Sequence, residues 1–161
     1  MRRLFPILLA ACGAAHAGDI ALPADTPPVY IKECGDCHVA FPPMLLSAED
    51  WKNVMGNLEK HYGDNAGISD KMRQEITDFL VRNADTDGRS FGANAIGRPL
   101  PKLTRASWFR DAHRKITNTL WTGPKVGSPS NCGACHMQAE QGSFEKNEIR
   151  MPGDPRRRGG E

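Results

Sequence analysis

The sequence predicts a mainly α chain built as two halves. Three observations carry this. Apolar residues recur at helical spacing in three separate stretches. Nothing alternates with period two for long enough to be a strand. And residues 84–106, "NADTDGRSFGANAIGRPLPKLTR", are rich in Gly, Pro and Asn and read as a linker between the halves.

The first residues, "MRRLFPILLAACGAAHAGD", combine a short basic region, an apolar run and "AHA" before Gly18. This is the pattern of a secretory signal cut after Ala17, and the run is too short to cross a bilayer as a helix. "LAAC", ending at Cys12, also resembles a lipoprotein cleavage box, so lipid attachment at Cys12 stands as the alternative. A periplasmic location follows from the first reading. The expected division is therefore 1–17 signal peptide, 18–90 N-terminal half and 91–161 C-terminal half. No later stretch is apolar enough to span a membrane.

A Pro-rich lead, "LPADTPPVY", reads as extended. "FPP" at 41–43 is a turn. "SAEDWKNVMGNLEKHYG" is the strongest helix: Ser47 can cap it, Asp50 favours its N-terminal dipole, and Trp51, Val54, Met55, Leu58, His61 and Tyr62 share a face ending at Gly63. "SDKMRQEITDFLVRN" is a second helix, capped by Ser69, with Met72, Ile76, Phe79 and Leu80 as its stripe. "SWFRDAHRKI" is a third, capped by Ser107, with Phe109, Ala112, His113 and Ile116 on one face. The rest of the C-terminal half reads as loop.

The chain has 21 Lys+Arg against 19 Asp+Glu, and without Arg2 and Arg3 the balance is even. No basic stripe suggests nucleic acid. The run "RRRGGE" at the C-terminus reads as a solvated tail, with partner docking as its functional alternative.

The chemistry lies in "CGDCH", residues 34–38, and "CGACH", residues 132–136. In C-x-x-C-H the two thiols add to the vinyl groups of a haem, and the following His lies under the iron as an axial ligand. Two such pairs could instead form a zinc site, but zinc pairs stand about 15–20 residues apart and need no following His. A redox dithiol would sit in a thioredoxin-like alternation of strands and helices, which is absent. Structural disulfides are allowed in an exported protein, yet a chance His after both motifs is about a one-in-a-thousand event at this histidine content. Two covalently bound haem c groups are the expected cofactors, attached at Cys34, Cys37, Cys132 and Cys135.

Each iron needs a sixth ligand. With His16 in the signal and His38 and His136 in the motifs, His61 and His113 remain, and each lies on an apolar helix face. Core packing is the bland reading for either. Methionine competes as a ligand: Met55 and Met72 fit helix faces, Met137 directly follows His136, and Met44 and Met151 are the serious rivals. His38 and His61 are 23 residues apart, as are His113 and His136. Local pairing is the simpler arrangement; a crossed one would knit the halves together. Two bis-His haems leave no open iron position and hold the potential below that of His/Met haems. Trp51, Trp108, Trp121 and Phe109 are candidate haem neighbours.

Beyond the motifs, "CGDCHVAFPPMLL", "DWKNVMGNLEKHYGDNA", "SWFRDAHRKI", "NCGACH" and "FEKNEIRMP" resemble the bacterial dihaem cytochrome c family. The resemblance spans nearly all the chain after the signal. It implies a small, helical, single-haem cytochrome c-like N-terminal half plus a less regular C-terminal haem-binding half. It implies thioethers at Cys34, Cys37, Cys132 and Cys135, and His38, His61, His113 and His136 as iron ligands. It further implies a periplasmic electron carrier, not an enzyme, whose redox partners include a membrane b-type cytochrome and a small oxygen-binding monohaem cytochrome c. The alternatives are the dihaem electron-transfer subunit of a periplasmic reductase, whose motifs lie closer in sequence, and a peroxidase-type haem enzyme, which needs an iron that can open.

Overall fold

The computed structural model describes residues 20–86 and 100–153. Residues 1–19, which hold the expected signal peptide, and 154–161, which hold the basic run, lie outside the described residues. Among the described residues there are five α-helices, α1 (Pro28–Gly35), α2 (Ala48–Met55), α3 (Asp70–Arg82), α4 (Ser107–Ala112) and α5 (Asn118–Thr122), with short 3₁₀ turns between most of them and after the last. Among the described residues there is no strand, only isolated bridges, so the helical expectation holds. No helix among them is long and apolar enough to cross a membrane.

α3 forms as its sequence dictates. The Ser69 side chain accepts from the Met72 amide at 3.4 Å, and Ile76, Phe79 and Leu80 are buried almost completely. α2 packs against it. Ser47 accepts from the Asp50 amide at 3.1 Å, and Trp51, Val54 and Met55 face inward. Here the structure corrects the sequence reading: α2 stops at Gly56 instead of continuing to Gly63. A separate 3₁₀ turn, Leu58–Lys60, follows, and His61 sits at its C-terminal end, off any α-helix. Glycine removes side-chain support from a helix only eight residues long, and short helices depend on packing for their existence.

Three further differences have local causes. α1 begins at Pro28, within the stretch expected to be extended, because Pro is well accommodated at the first helical position, where its missing N–H is no loss. α4 ends at Ala112, with His113 as its C-cap, and its N-cap is Ala106; Ser107 makes no capping bond. Of the expected linker, residues 87–99 lie outside the described residues. Its described remainder is no solvated spacer, since Ala84, Leu100, Pro101, Leu103 and Ala106 are buried. α5 was not anticipated; Thr117 caps it through the Leu120 amide.

One apolar cluster runs through both halves. It joins Tyr30, Leu45, Leu58, Phe79 and Leu80 with Leu103, Ala106 and Phe109. The N-terminal lead also reaches the C-terminal half. Gly142 has φ +77, and a Cβ there would lie 2.5 Å from Leu22 Cγ. Only glycine combines that left-handed backbone with so close an approach.

Candidate functional site

The structure brings the four predicted histidines together in two pairs, and the pairing is local. The His38 and His61 ring centres are 6.2 Å apart with planes inclined by 22°. Those of His113 and His136 are also 6.2 Å apart, inclined by 71°. Two imidazoles bound on opposite sides of one metal, with bonds of about 2 Å and ring radii of about 1.1 Å, stand about 6 Å apart centre to centre. Both pairs meet that requirement, although His61 arrives through a 3₁₀ turn and His113 through a helix end.

The hydrogen bonds orient the rings. His38 Nδ1 lies 2.8 Å from the Val39 carbonyl and His113 Nδ1 lies 2.8 Å from the Phe109 carbonyl. A carbonyl only accepts, so each Nδ1 carries the proton and Nε2 keeps the lone pair a metal needs. The other member of each pair, His61 and His136, has a buried Nδ1 without a hydrogen-bond partner. Burial, followed by the proximity of the facing imidazole, lowers the pKa of His61 and of His136. Both are thus held in the neutral form that can act as a ligand.

His61 owes its placement to an unusual neighbour. Tyr62 has φ +54, a left-handed backbone that is uncommon for an aromatic residue. The next residue, Gly63, also has positive φ. The Tyr62 hydroxyl donates to the Pro101 carbonyl, and the Lys102 ammonium lies 5.6 Å from the ring centre. Burial raises the Tyr62 pKa to about 12, so the phenol keeps its donor proton.

The second histidine pair opens on a cavity of about 600 Å³, bounded also by Cys132 and Cys135. That size is typical for a bound organic cofactor. Trp108, Phe109 and Trp121, three of the four expected aromatic neighbours, line it. The fourth, Trp51, does not; it is buried, and its indole N–H donates 2.6 Å to the Pro43 carbonyl. Of the methionines, Met151 reaches the cavity wall. "FEKNEIRMP" acquires a structural meaning here. Phe144 lies against His136 with ring centres 5.2 Å apart, Ile149 bridges to His136, and the Arg150 amide donates to the Cys135 carbonyl at 2.9 Å.

Sequence reasoning missed the contribution of the N-terminal half to this cavity. Ile20, Phe41 and Leu45 line it. Phe41 also stacks on His38, with ring centres 4.7 Å apart and planes inclined by 22°. Its main chain is held by the Tyr30 hydroxyl, which donates to the Phe41 carbonyl. The signals for Phe41 in the sequence were its place three residues after His38 and its inclusion in the stretch "CGDCHVAFPPMLL".

The four motif thiols take part in no disulfide. Burial pushes Cys34 up to about 12 and Cys132 up to about 11, so both are neutral thiols until a thioether bond forms. Among the described residues no three of His, Cys, Asp and Glu gather as a metal cluster, so the two cysteine pairs do not meet in a four-thiolate zinc site.

A helical chain with two C-x-x-C-H motifs, each beside a facing pair of imidazoles, has the design of a two-haem c-type cytochrome. Comparison with known proteins agrees. The family model for dihaem cytochrome c matches residues 30–144, and the chain belongs to this family. Among solved structures, it is similar to the dihaem c-type cytochrome of Shewanella baltica OS155, at 34% identity over 80% of this chain and 96% of that one, with a TM-score of 0.67. It is likewise similar to two structures of the dihaem cytochrome c from Rhodobacter sphaeroides. One is 34% identical, covering 74% and 97% of the two chains with a TM-score of 0.62. The other is 33% identical, covering 74% and 98% with a TM-score of 0.63. A search of curated proteins found no match. Two covalently bound haem c groups are therefore this chain's cofactors, and electron transfer is its class of function.

Proposed function

We propose that the protein relays single electrons at low potential between redox partners in the periplasm, through two bis-His haems. Cys34 and Cys37 hold one haem and Cys132 and Cys135 the other by thioether bonds. His38 with His61, and His136 with His113, would supply the imidazoles that hold the two irons. The observation that carries this reading is the equal 6.2 Å separation in both histidine pairs.

The haems supply the one-electron couple. The chain's own residues fix how it operates. The Val39 and Phe109 carbonyls hold His38 and His113 in the tautomer that turns Nε2 to the iron. Phe109, stacked on His113 at 4.1 Å, and Trp121, 5.7 Å from it, hold that ring in place. Two histidines per iron leave no position for a substrate, which separates this reading from a peroxidase. Partners of the kind implied by the resemblance, a membrane b-type cytochrome and a small oxygen-binding monohaem cytochrome c, fit a relay of this sort, as does service to a periplasmic reductase.

Replacing His61 and His113 singly by Met tests the ligand set. Each change should raise the potential of one haem and leave the other unaltered. If either variant keeps both potentials, that histidine is not a ligand. Met151, on the cavity wall, supports a second reading for the second iron; it predicts that His113→Ala stays low-spin and that His113→Ala combined with Met151→Ala does not. The relay reading also requires that reduced protein bind no carbon monoxide.

A further inference from the structure

The near-even charge of the whole chain hides a division between the halves. Residues 20–86 contain six Lys+Arg and eleven Asp+Glu, whereas residues 100–153 contain eight Lys+Arg and four Asp+Glu. One half is net negative and the other net positive. Identical haems add the same charge to each, so the difference between the halves persists in the holoprotein.

The division extends to the two sites. At the first, Asp36 is exposed between the two thioether positions, and exposed Asp64 donates its backbone N–H to the His61 carbonyl at 3.0 Å. Three of that half's six cations are engaged locally: Lys32 with Glu33, Arg73 with Glu59, and Arg82 with Asp25. Two cations stand close to this site: Lys60, beside His61 in sequence, and Lys102, whose ammonium lies 5.6 Å from the Tyr62 ring centre. At the second site, exposed Lys115 and Lys146 line the cavity itself. Arg110 and Arg114, also exposed, flank His113 along the chain. Of the acids there, Asp111 is exposed between Arg110 and His113, whereas Glu145 is half-buried at the cavity wall and Glu148 accepts from the Ser143 hydroxyl at 2.6 Å.

We infer that the surface around the second haem, marked by Lys115 and Lys146, is the docking face for an acidic redox protein, and that the first haem's surface disfavours the same partner. Charge of one sign around a cofactor edge raises the encounter rate with an opposite partner by about 10- to 1,000-fold and suppresses wrong partners. In the exchange, one electron leaves a ferrous haem, which becomes ferric, and reduces the oxidant by one. The inference rests on the relay reading but fails separately from it. Carbon monoxide binding would remove the relay and leave the charge map; the experiment below tests the map.

The reduced holoprotein is mixed by stopped flow with hexacyanoferrate(III), an anionic oxidant, or with hexaammineruthenium(III), a cationic one. In low salt, Lys115→Glu combined with Lys146→Glu should slow oxidation by hexacyanoferrate(III) about tenfold and speed oxidation by the ruthenium complex, with both effects vanishing near 1 M salt. Lys52→Glu combined with Lys71→Glu makes the same change in net charge on the acidic half, and should alter the hexacyanoferrate(III) rate less than twofold. Poly-glutamate should protect the wild type from hexacyanoferrate(III) and should not protect the Lys115/Lys146 variant. If the glutamate pair does not yield folded holoprotein, Lys115→Gln with Lys146→Gln should give a smaller effect of the same sign. Equal slowing by the two lysine pairs would mean that only net charge matters, and would overturn the inference. Unchanged rates in the Lys115/Lys146 variant would do so as well.

Discussion

The Phe41 ring lies 4.7 Å from that of His38, stacked on a histidine of the first pair, and the same ring forms part of the wall facing His113 and His136. A single side chain therefore borders both sites. Phe41→Ala should lower both haem potentials by tens of millivolts, because admitted water favours the oxidised, more charged state; about 59 mV corresponds to a tenfold change for a one-electron couple. Trp51→Phe, in the core and away from the second cavity, should move neither. A redox titration followed in the visible spectrum reads both, and a shift confined to one haem in Phe41→Ala would contradict the shared role.

Tyr62 links the turn beyond His61 to Pro101. Loss of one such hydrogen bond costs about 0.5–1.5 kcal/mol. Tyr62→Phe should accordingly lower the unfolding midpoint by about 2–4 °C per kcal/mol for a chain of this size. Calorimetry of the holoprotein checks this, and an unchanged midpoint would show that the bond contributes nothing in solution.

Ile76 and Leu80, both 0% exposed, anchor α3. Either change to Ala should cost about 2–5 kcal/mol, and Ile76→Val about 0.5–1.5 kcal/mol. Neither residue borders the second cavity, so native-state haem spectra should stay as in the wild type while urea midpoints fall.

Gly142→Ala should destabilise by about 1–3 kcal/mol, through contact with Leu22 and the left-handed backbone together. Adding Leu22→Ala should restore only the contact part, so urea titrations of the two single variants and the double variant should reveal a non-additive pair. Strict additivity would show that the two positions do not touch in solution.

The haem motifs were legible in sequence because their chemistry tolerates no slack in spacing. α3 was legible because thirteen residues with a good cap and a consistent stripe carry most of their own signal. α2 was read too long because His61 and Tyr62 fell on the extrapolated helical period, although Gly56 had already ended the helix. His61 was thus identified as a ligand candidate while its route to the site, a 3₁₀ turn followed by a left-handed tyrosine, was not. The wall of the second cavity was the least legible part. Ile20 lies in a segment with no periodicity, and Phe41 in a turn, so only the tertiary structure shows what they face.

The contact between Leu22 and Gly142 bears on the order in which the molecule forms. The first site needs residues that lie within a short span, from Cys34 to His61. The second needs Ile20 from the start of the described chain together with Phe144 and Ile149 from near its end. Closing a long loop costs entropy before its contacts give any return, so non-local sites form late. A lesion in the N-terminal lead, at Ile20 or Leu22, will thus be felt at the haem most distant from it in sequence.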